Sequence, residues 1–291
     1  MHPKHLLPFI TLGLSAPTLS PRDIPPSFLQ TLTLYAQYSA AAYCPDNSNS
    51  PGTKLTCSAG NCPLVENADT NTLSEFEDPD RTGDVAGYLA VDKSNKKLIL
   101  AFRGTRSIET WVANVQMGKE DAGEICAGCE VHSGFWKSWS AISEATLDAV
   151  RKAVEAHPGY GIVVTGHSFG GALATIAAAV LRNLKIGGSV DMYDYGAPRI
   201  GNSEFAEYVS AQGANYRVTH ANDIVPRLPP KMFGFHQLSP EYWVHAGNGE
   251  AVGTGDVVMI DEADSKMGNR GADMPGVEAH KWYLGKIDAC R

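Results

Sequence analysis

The order of apolar runs along this chain predicts an α/β fold, a mostly parallel central sheet with helices on both faces. Three observations carry that prediction. Between residues 161 and 220, strand-like and helix-like segments alternate, as neighbouring parallel strands require. Gly166-His167-Ser168-Phe169-Gly170 places a serine between glycines at a strand-to-helix junction. A length of 291 residues allows a full core in one large domain, and no internal repeat or long linker divides it.

The elements follow in order. Met1-His-Pro-Lys-His is weakly basic, Leu6 to Leu14 is mostly apolar, and Ser15 to Arg22 turns small and polar. That succession predicts a secretory signal and a short pro-segment over residues 1–22, ahead of a single domain over 23–291. Residues 45–84, rich in Asn, Ser, Asp, Pro and Gly, are expected to form a surface excursion. Asp84–Asp92 and Lys97–Phe102 are expected strands, joined by a turn through Ser94-Asn95. Phe135–His157 is an expected helix, with Ile142, Leu147, Val150 and Val154 near helical spacing. Strand 161–165, a small-residue helix 171–184, strand Val190–Tyr195, helix Glu204–Ala211 and strand Tyr216–His220 come next. The β-prone run Val257–Ile260 and a short terminal helix close the chain.

Bulk properties exclude some functions. The net charge is −8 with no basic run, which argues against a nucleic-acid partner. No apolar stretch reaches the length of a transmembrane segment. The six cysteines agree with export. Cys57 and Cys62 form one local pair and Cys126 and Cys129 another, leaving Cys44 and Cys290 near the two ends. Cys126-Ala-Gly-Cys129 is also compatible with a redox motif or half a zinc site, but no second C-x-x-C is present.

A serine at a tight strand-to-helix turn sits in strained backbone with its hydroxyl projecting outward, and the new helix turns its N–H groups toward negative charge there. A hydroxyl needs a base to accept its proton, usually an imidazole oriented by a carboxylate. In this architecture the chain order is serine, acid, histidine. Asp223 lies just beyond strand 216–220, where loops gather at the carboxyl ends of strands. Asp194 is a rival acid, though it lies within a strand. His280 is the candidate base, with His220, His236 and His245 as alternatives. The Phe169 N–H is the expected first oxyanion donor, and Thr105, in the loop Phe102-Arg-Gly-Thr-Arg106, the second. Ile108, Trp111, Val112 and Val115 form an apolar stripe at i, i+3, i+4 and i+7, with Ser107 as a cap and Glu109 in the first turn. Neither a cofactor nor a metal is required by this chemistry.

Five segments together resemble the secreted fungal lipases of the class 3 family. They are Ala-Phe-Arg-Gly-Thr-Arg-Ser-Ile-Glu-Thr-Trp111, Val-Thr-Gly-His-Ser-Phe-Gly-Gly171, Tyr-Gly-Ala-Pro-Arg-Ile-Gly-Asn202, Arg-Val-Thr-His-Ala-Asn-Asp-Ile-Val-Pro226 and Ala-His-Lys-Trp-Tyr283. The resemblance spans nearly all of residues 30–290 and implies the α/β-hydrolase fold. It also implies Ser168 as nucleophile, Asp223 as acid, His280 as base, and Thr105 and Phe169 as oxyanion donors. The implied disulfides are Cys44–Cys290, Cys57–Cys62 and Cys126–Cys129. The segment around 107–115 corresponds to the family's lid, which shields the site in water and makes transient contact with a lipid interface. Acylglycerols or other lipid esters are the implied substrates.

The chain departs from the family at Phe169, where leucine is usual, and at Thr105, where close relatives carry serine. It also lacks an N-x-S/T sequon. Two other readings compete: a feruloyl-type plant-wall esterase on the same scaffold, and a non-catalytic hydrolase-like binding protein.

Overall fold

The computed structural model describes residues 24–48, 50–78 and 85–291, so the signal read at 1–22 lies outside the described residues. The chain opens with α1 (Pro26–Ala41), α2 (Pro63–Asn67), β1 (Thr70–Asp78), β2 (Val85–Asp92), β3 (Lys97–Phe102) and α3 (Ile108–Ala113). A small antiparallel pair follows, β4 (Lys119–Asp121) with β5 (Glu130–His132). Next come α4 (Ser133–Ala156), β6 (Gly161–His167), α5 (Phe169–Asn183), β7 (Val190–Tyr195), α6 (Ser203–Ala211) and β8 (Asn215–His220). β9 (Glu241–Val244) and β10 (Val257–Ile260) complete the set.

The main sheet has the order β1-β2-β3-β6-β7-β8-β9-β10. Its centre, β3 through β9, is parallel, while β1, β2 and β10 pair antiparallel at the margins. Both faces are covered, which explains why β3 and β6 carry continuous apolar runs, Leu98–Phe102 and Ile162–Val164, rather than alternating. Leu98, Leu100, Phe102, Ile162 and Val164 pack with residues of α4 and α5. Ile99, Ala101 and Val163 pack with residues of α1 on the other face. α5 lies close to the sheet because Ala172, Ala174 and Ala177 to Ala179 are fully buried side chains of minimal size. The six cysteines form Cys44–Cys290, Cys57–Cys62 and Cys126–Cys129.

The structure corrects several expectations. Residues 45–84 are not wholly a surface excursion, since they contain α2 and the nine-residue β1. β1 is an edge strand whose polar sequence hides it: Phe76 is buried, while Leu73 is exposed. α1 and β9 are further elements that apolar periodicity did not announce. The expected terminal helix is a single 3-10 turn, Ala279–Lys281. α5 begins at Phe169 rather than 171, because the serine itself is the junction. No helix among the described residues is long and apolar enough to cross a membrane.

Candidate active site

Ser168 is the single residue between β6 and α5, held at φ 60° and ψ −127°. A positive φ is costly for a side-chain-bearing residue and persists only where the surroundings enforce it. Here the Ser168 N–H donates to the Tyr195 carbonyl at 2.9 Å, and its own carbonyl accepts from Gly171 N at 3.0 Å. The flanking glycines allow this packing. A Cβ on Gly166 would lie 2.8 Å from Gly171 N, and one on Gly170 would lie 2.7 Å from the Arg103 carbonyl oxygen, with the Phe102 carbonyl closer still. The loop after β3 passes just as tightly: a Cβ on Gly104 would stand 3.0 Å from Ser168 Cβ. Thr105, half-buried, is the next residue. Phe169, opening α5, contributes one of the helix's first N–H groups, which have no partner within a helix.

β8 ends at His220, and the chain turns at once, with Asp223 N donating to the His220 carbonyl at 3.0 Å. Asn269 Nδ2 fixes this turn through the Asp223 carbonyl at 2.9 Å. The Asp223 carboxylate is fully buried and accepts three bonds. Val225 N donates to Oδ1 at 2.9 Å, His280 Nδ1–H donates to Oδ2 at 2.7 Å, and the Tyr283 hydroxyl also donates to Oδ2. Burial first, and then the Asp223 charge, push the Tyr283 phenol well above its usual range, so it remains a donor. Because a carboxylate only accepts, the proton of a neutral His280 ring sits on Nδ1 and Nε2 keeps its lone pair. That Nε2 is buried and has no hydrogen-bond partner, so no bond joins it to the Ser168 hydroxyl in this structure. Ser168 and His280 are 2% and 1% exposed, which makes this a covered site.

His167, beside Ser168, binds the His280 loop. Its Nε2–H donates to the His280 carbonyl at 2.8 Å, and its Nδ1 accepts from the Tyr43 hydroxyl at 2.7 Å. Burial, with the nearby His280 as a smaller contribution, holds His167 well below the usual histidine range, and it stays neutral. Sequence reasoning assigned no role to Tyr43, His167, Asn269 or Tyr283. His167 and Tyr283 lie inside motifs already singled out, whereas nothing near Tyr43 or Asn269 signals a role.

The rival histidines are engaged in other contacts. His220 uses both ring nitrogens on the carbonyls of Ala279 and Ala246. His236 lies 3.6 Å from Asp264, and His245 meets the Gly255 carbonyl at 3.2 Å. Asp194 is fully buried in β7, and neither carboxylate oxygen has a hydrogen-bond partner. Burial pushes its carboxyl up to about 7, with the charge of Arg217 only partly offsetting this.

α3 lies against this centre. Ile108 is buried, and Trp111 and Val112 are half-buried. Trp111 stacks on Phe135 with ring centroids 6.3 Å apart, and Phe135 meets Phe169 edge-on at 5.8 Å. On its other side, Glu109 pairs with Lys281 at 3.4 Å and with Arg291 at 3.5 Å. α3 thus touches both the residue after Ser168, through Phe135, and the residue after His280. It is shorter than expected. Ser107 forms no side-chain cap bond, and Val115 lies beyond the helix end, half-buried in the following loop. No helical turn carries the stripe that far, because α3 stops at Ala113.

Among the described residues, Cys44, Cys57 and Cys290 approach one another closely enough to suggest metal ligation, but their sulfurs are taken up in disulfides.

Comparison with known proteins gives a consistent set of likenesses. A family model described as lipase (class 3) matches residues 99–233, and one described as lipase 3 N-terminal region matches residues 9–74. A secreted mono- and diacylglycerol lipase A of Penicillium cyclopium is 41% identical over 284 residues, covering 96% of this chain and 92% of that protein. The crystal structure of a mono- and diacylglycerol lipase from Aspergillus oryzae superposes with a TM-score of 0.87 at 38% identity, covering 92% of this chain and all of that one. A triacylglycerol lipase whose catalytic centre is formed by a serine protease triad superposes with a TM-score of 0.81 at 28% identity, covering 94% of this chain and all of that one.

Proposed function

This chain belongs to the class 3 lipase family, and from that premise we propose that it is an exported serine ester hydrolase cleaving acylglycerols, with Ser168, Asp223 and His280 as its catalytic triad. One observation carries the reading: the buried His280–Asp223 bond of 2.7 Å turns Nδ1 to the carboxylate and leaves Nε2 without a hydrogen-bond partner, on a loop that His167, the neighbour of the elbow serine, holds at 2.8 Å. In the reaction, Nε2 takes the Ser168 proton as Oγ attacks the ester carbonyl. Asp223 holds the tautomer and stabilises the imidazolium that forms. The N–H groups of Phe169 and Thr105 receive the oxyanion, each such donor being worth ~3 kcal/mol in the transition state. His280 then gives its proton to the leaving alcohol. It next activates water, whose attack on the acyl-serine releases the fatty acid.

α3 is the lid in this reading. Its departure would uncover Ser168, the step that activation at an oil–water surface requires. Partial acylglycerols are the first substrates to test, because the Penicillium and Aspergillus relatives are named for mono- and diacylglycerols. Export is supported by the three disulfides and by relatives named as secreted.

Ser168→Ala is expected to lower tributyrin hydrolysis by about 10⁴-fold or more without lowering the unfolding midpoint. It should also abolish labelling by a fluorophosphonate probe. Retained turnover would reject the triad. A preference for methyl ferulate over an acylglycerol emulsion would instead favour the plant-wall esterase.

A further inference from the structure

Glu109 is the charged residue on α3 that meets two cations at once, Lys281 at 3.4 Å and Arg291 at 3.5 Å. Neither cation is free to follow α3 if it moves. Lys281 directly follows His280, and its carbonyl accepts from Ile287 N at 3.1 Å. Arg291 follows Cys290, which is disulfide-bonded to Cys44 at the end of α1. Each cation also has a second carboxylate of its own, Glu278 at 2.8 Å for Lys281 and Asp288 at 3.2 Å for Arg291. Those acids keep both cations in place when Glu109 leaves, so the seat for Glu109 persists.

We propose that Glu109 is an electrostatic latch that holds α3 closed over Ser168 by docking onto Lys281 and Arg291. The inference rests on α3 being the lid. Ser168 and His280 are covered while the latch is made, and uncovering them separates Glu109 from two anchored charges. The Glu109 side chain is 53% exposed, so dissolved salt screens the latch and weakens it at high ionic strength. The latch also couples the cover to the loop that carries the catalytic base, so opening frees that loop of a contact one residue from His280.

The test compares wild type with Glu109→Gln, Glu109→Lys and Arg291→Gln on p-nitrophenyl butyrate below its solubility limit and on a tributyrin emulsion. Each is assayed at about 20 mM and about 500 mM NaCl. Glu109→Gln should raise soluble-ester turnover about two- to fivefold at low salt, the range exposed ion pairs support. Glu109→Lys, which repels both cations, should raise it further, and Arg291→Gln should raise it less. Wild type should accelerate with salt on the soluble ester while Glu109→Gln does not. A wild type that gains on the emulsion, together with a Glu109→Gln variant matching it in soluble-ester rate and salt response, would overturn the latch and leave the lid standing. A wild type with no gain on the emulsion would overturn both.

Discussion

The Ser168 elbow and the neighbouring helix α3, the cover in the function proposed above, are built on opposite principles. The elbow is fixed by backbone against backbone: Gly166, Gly170 and Gly104 each sit where one added carbon meets a neighbouring main-chain atom within 2.8 Å. The cover is six residues long, well short of what holds a helix together unaided. One fully buried side chain, one ring stack and two exposed ion pairs hold it. Such a difference separates two demands. A reacting hydroxyl needs a geometry with no freedom, because small displacements are costly in rate. A cover that must open needs a stability of only a few kcal/mol, or it never leaves.

The largest expected effect is on the elbow. Gly170→Ala drives a methyl group into the carbonyls of Phe102 and Arg103, joining β3 and α5 at a point where both are fully packed. We expect unfolding in urea to show a loss of ~3 kcal/mol or more, at the severe end for single substitutions. Thr110→Ala, at an exposed position of α3, should stay within ~0.5 kcal/mol of wild type. Similar values for the two variants would break the comparison.

How much of this was legible follows the same division. The elbow could be read because its constraints are local: glycines at fixed offsets from a serine, an apolar strand before it and small residues after it. Asp223 could be placed from the end of β8, since strand ends gather catalytic loops. His280 was one of several histidines on spacing alone and was singled out only by the family resemblance, before the fold joined its loop to Asp223, 57 residues earlier in the chain. Tyr43 and Asn269 were invisible because their roles are contacts between distant segments, which leave no periodic trace. β1 was hidden for a different reason: an edge strand with a polar face carries little apolar alternation, and its pairing with β2 decides its structure. On α3 the stripe was read correctly as apolar but one turn too long. Periodicity at Val115 did not outweigh the missing cap and the irregular backbone at Asn114.

The elbow side also holds a buried carboxyl, which gives the second prediction. Asp194 lies in β7 where a Cβ on Gly171 would approach its own Cβ to 3.2 Å. Its carboxyl is pushed from 3.8 to about 7 by burial, so the folded state holds a proton that the unfolded chain releases. The stabilising contribution is therefore complete below the unfolded value near pH 4, and is lost as pH rises through about 7. Asp194→Asn removes that dependence while keeping the shape. We expect the variant to gain on wild type by ~2–4 kcal/mol in unfolding free energy between pH 4 and pH 8. A constant difference between the two proteins across that range would show that Asp194 ionises freely, and that the elbow's surroundings are less dry than the packing indicates.

The smallest effect belongs to the cover and sharpens the comparison most. Trp111 is half-buried, and its ring lies on Phe135, which in turn meets Phe169 beside Ser168. Trp111→Ala removes an aromatic pair and part of a large apolar side chain, a loss of ~1–2 kcal/mol that falls on the closed arrangement of α3. That energy bears on a local equilibrium, so turnover of a dissolved short-chain ester should rise by about five- to thirtyfold. The urea midpoint should hardly move, because a six-residue segment contributes little surface to global unfolding. Should Trp111→Ala instead lower global stability as far as Gly170→Ala does, α3 is part of the core and not a cover. The two regions would then have to be treated as one cooperative unit.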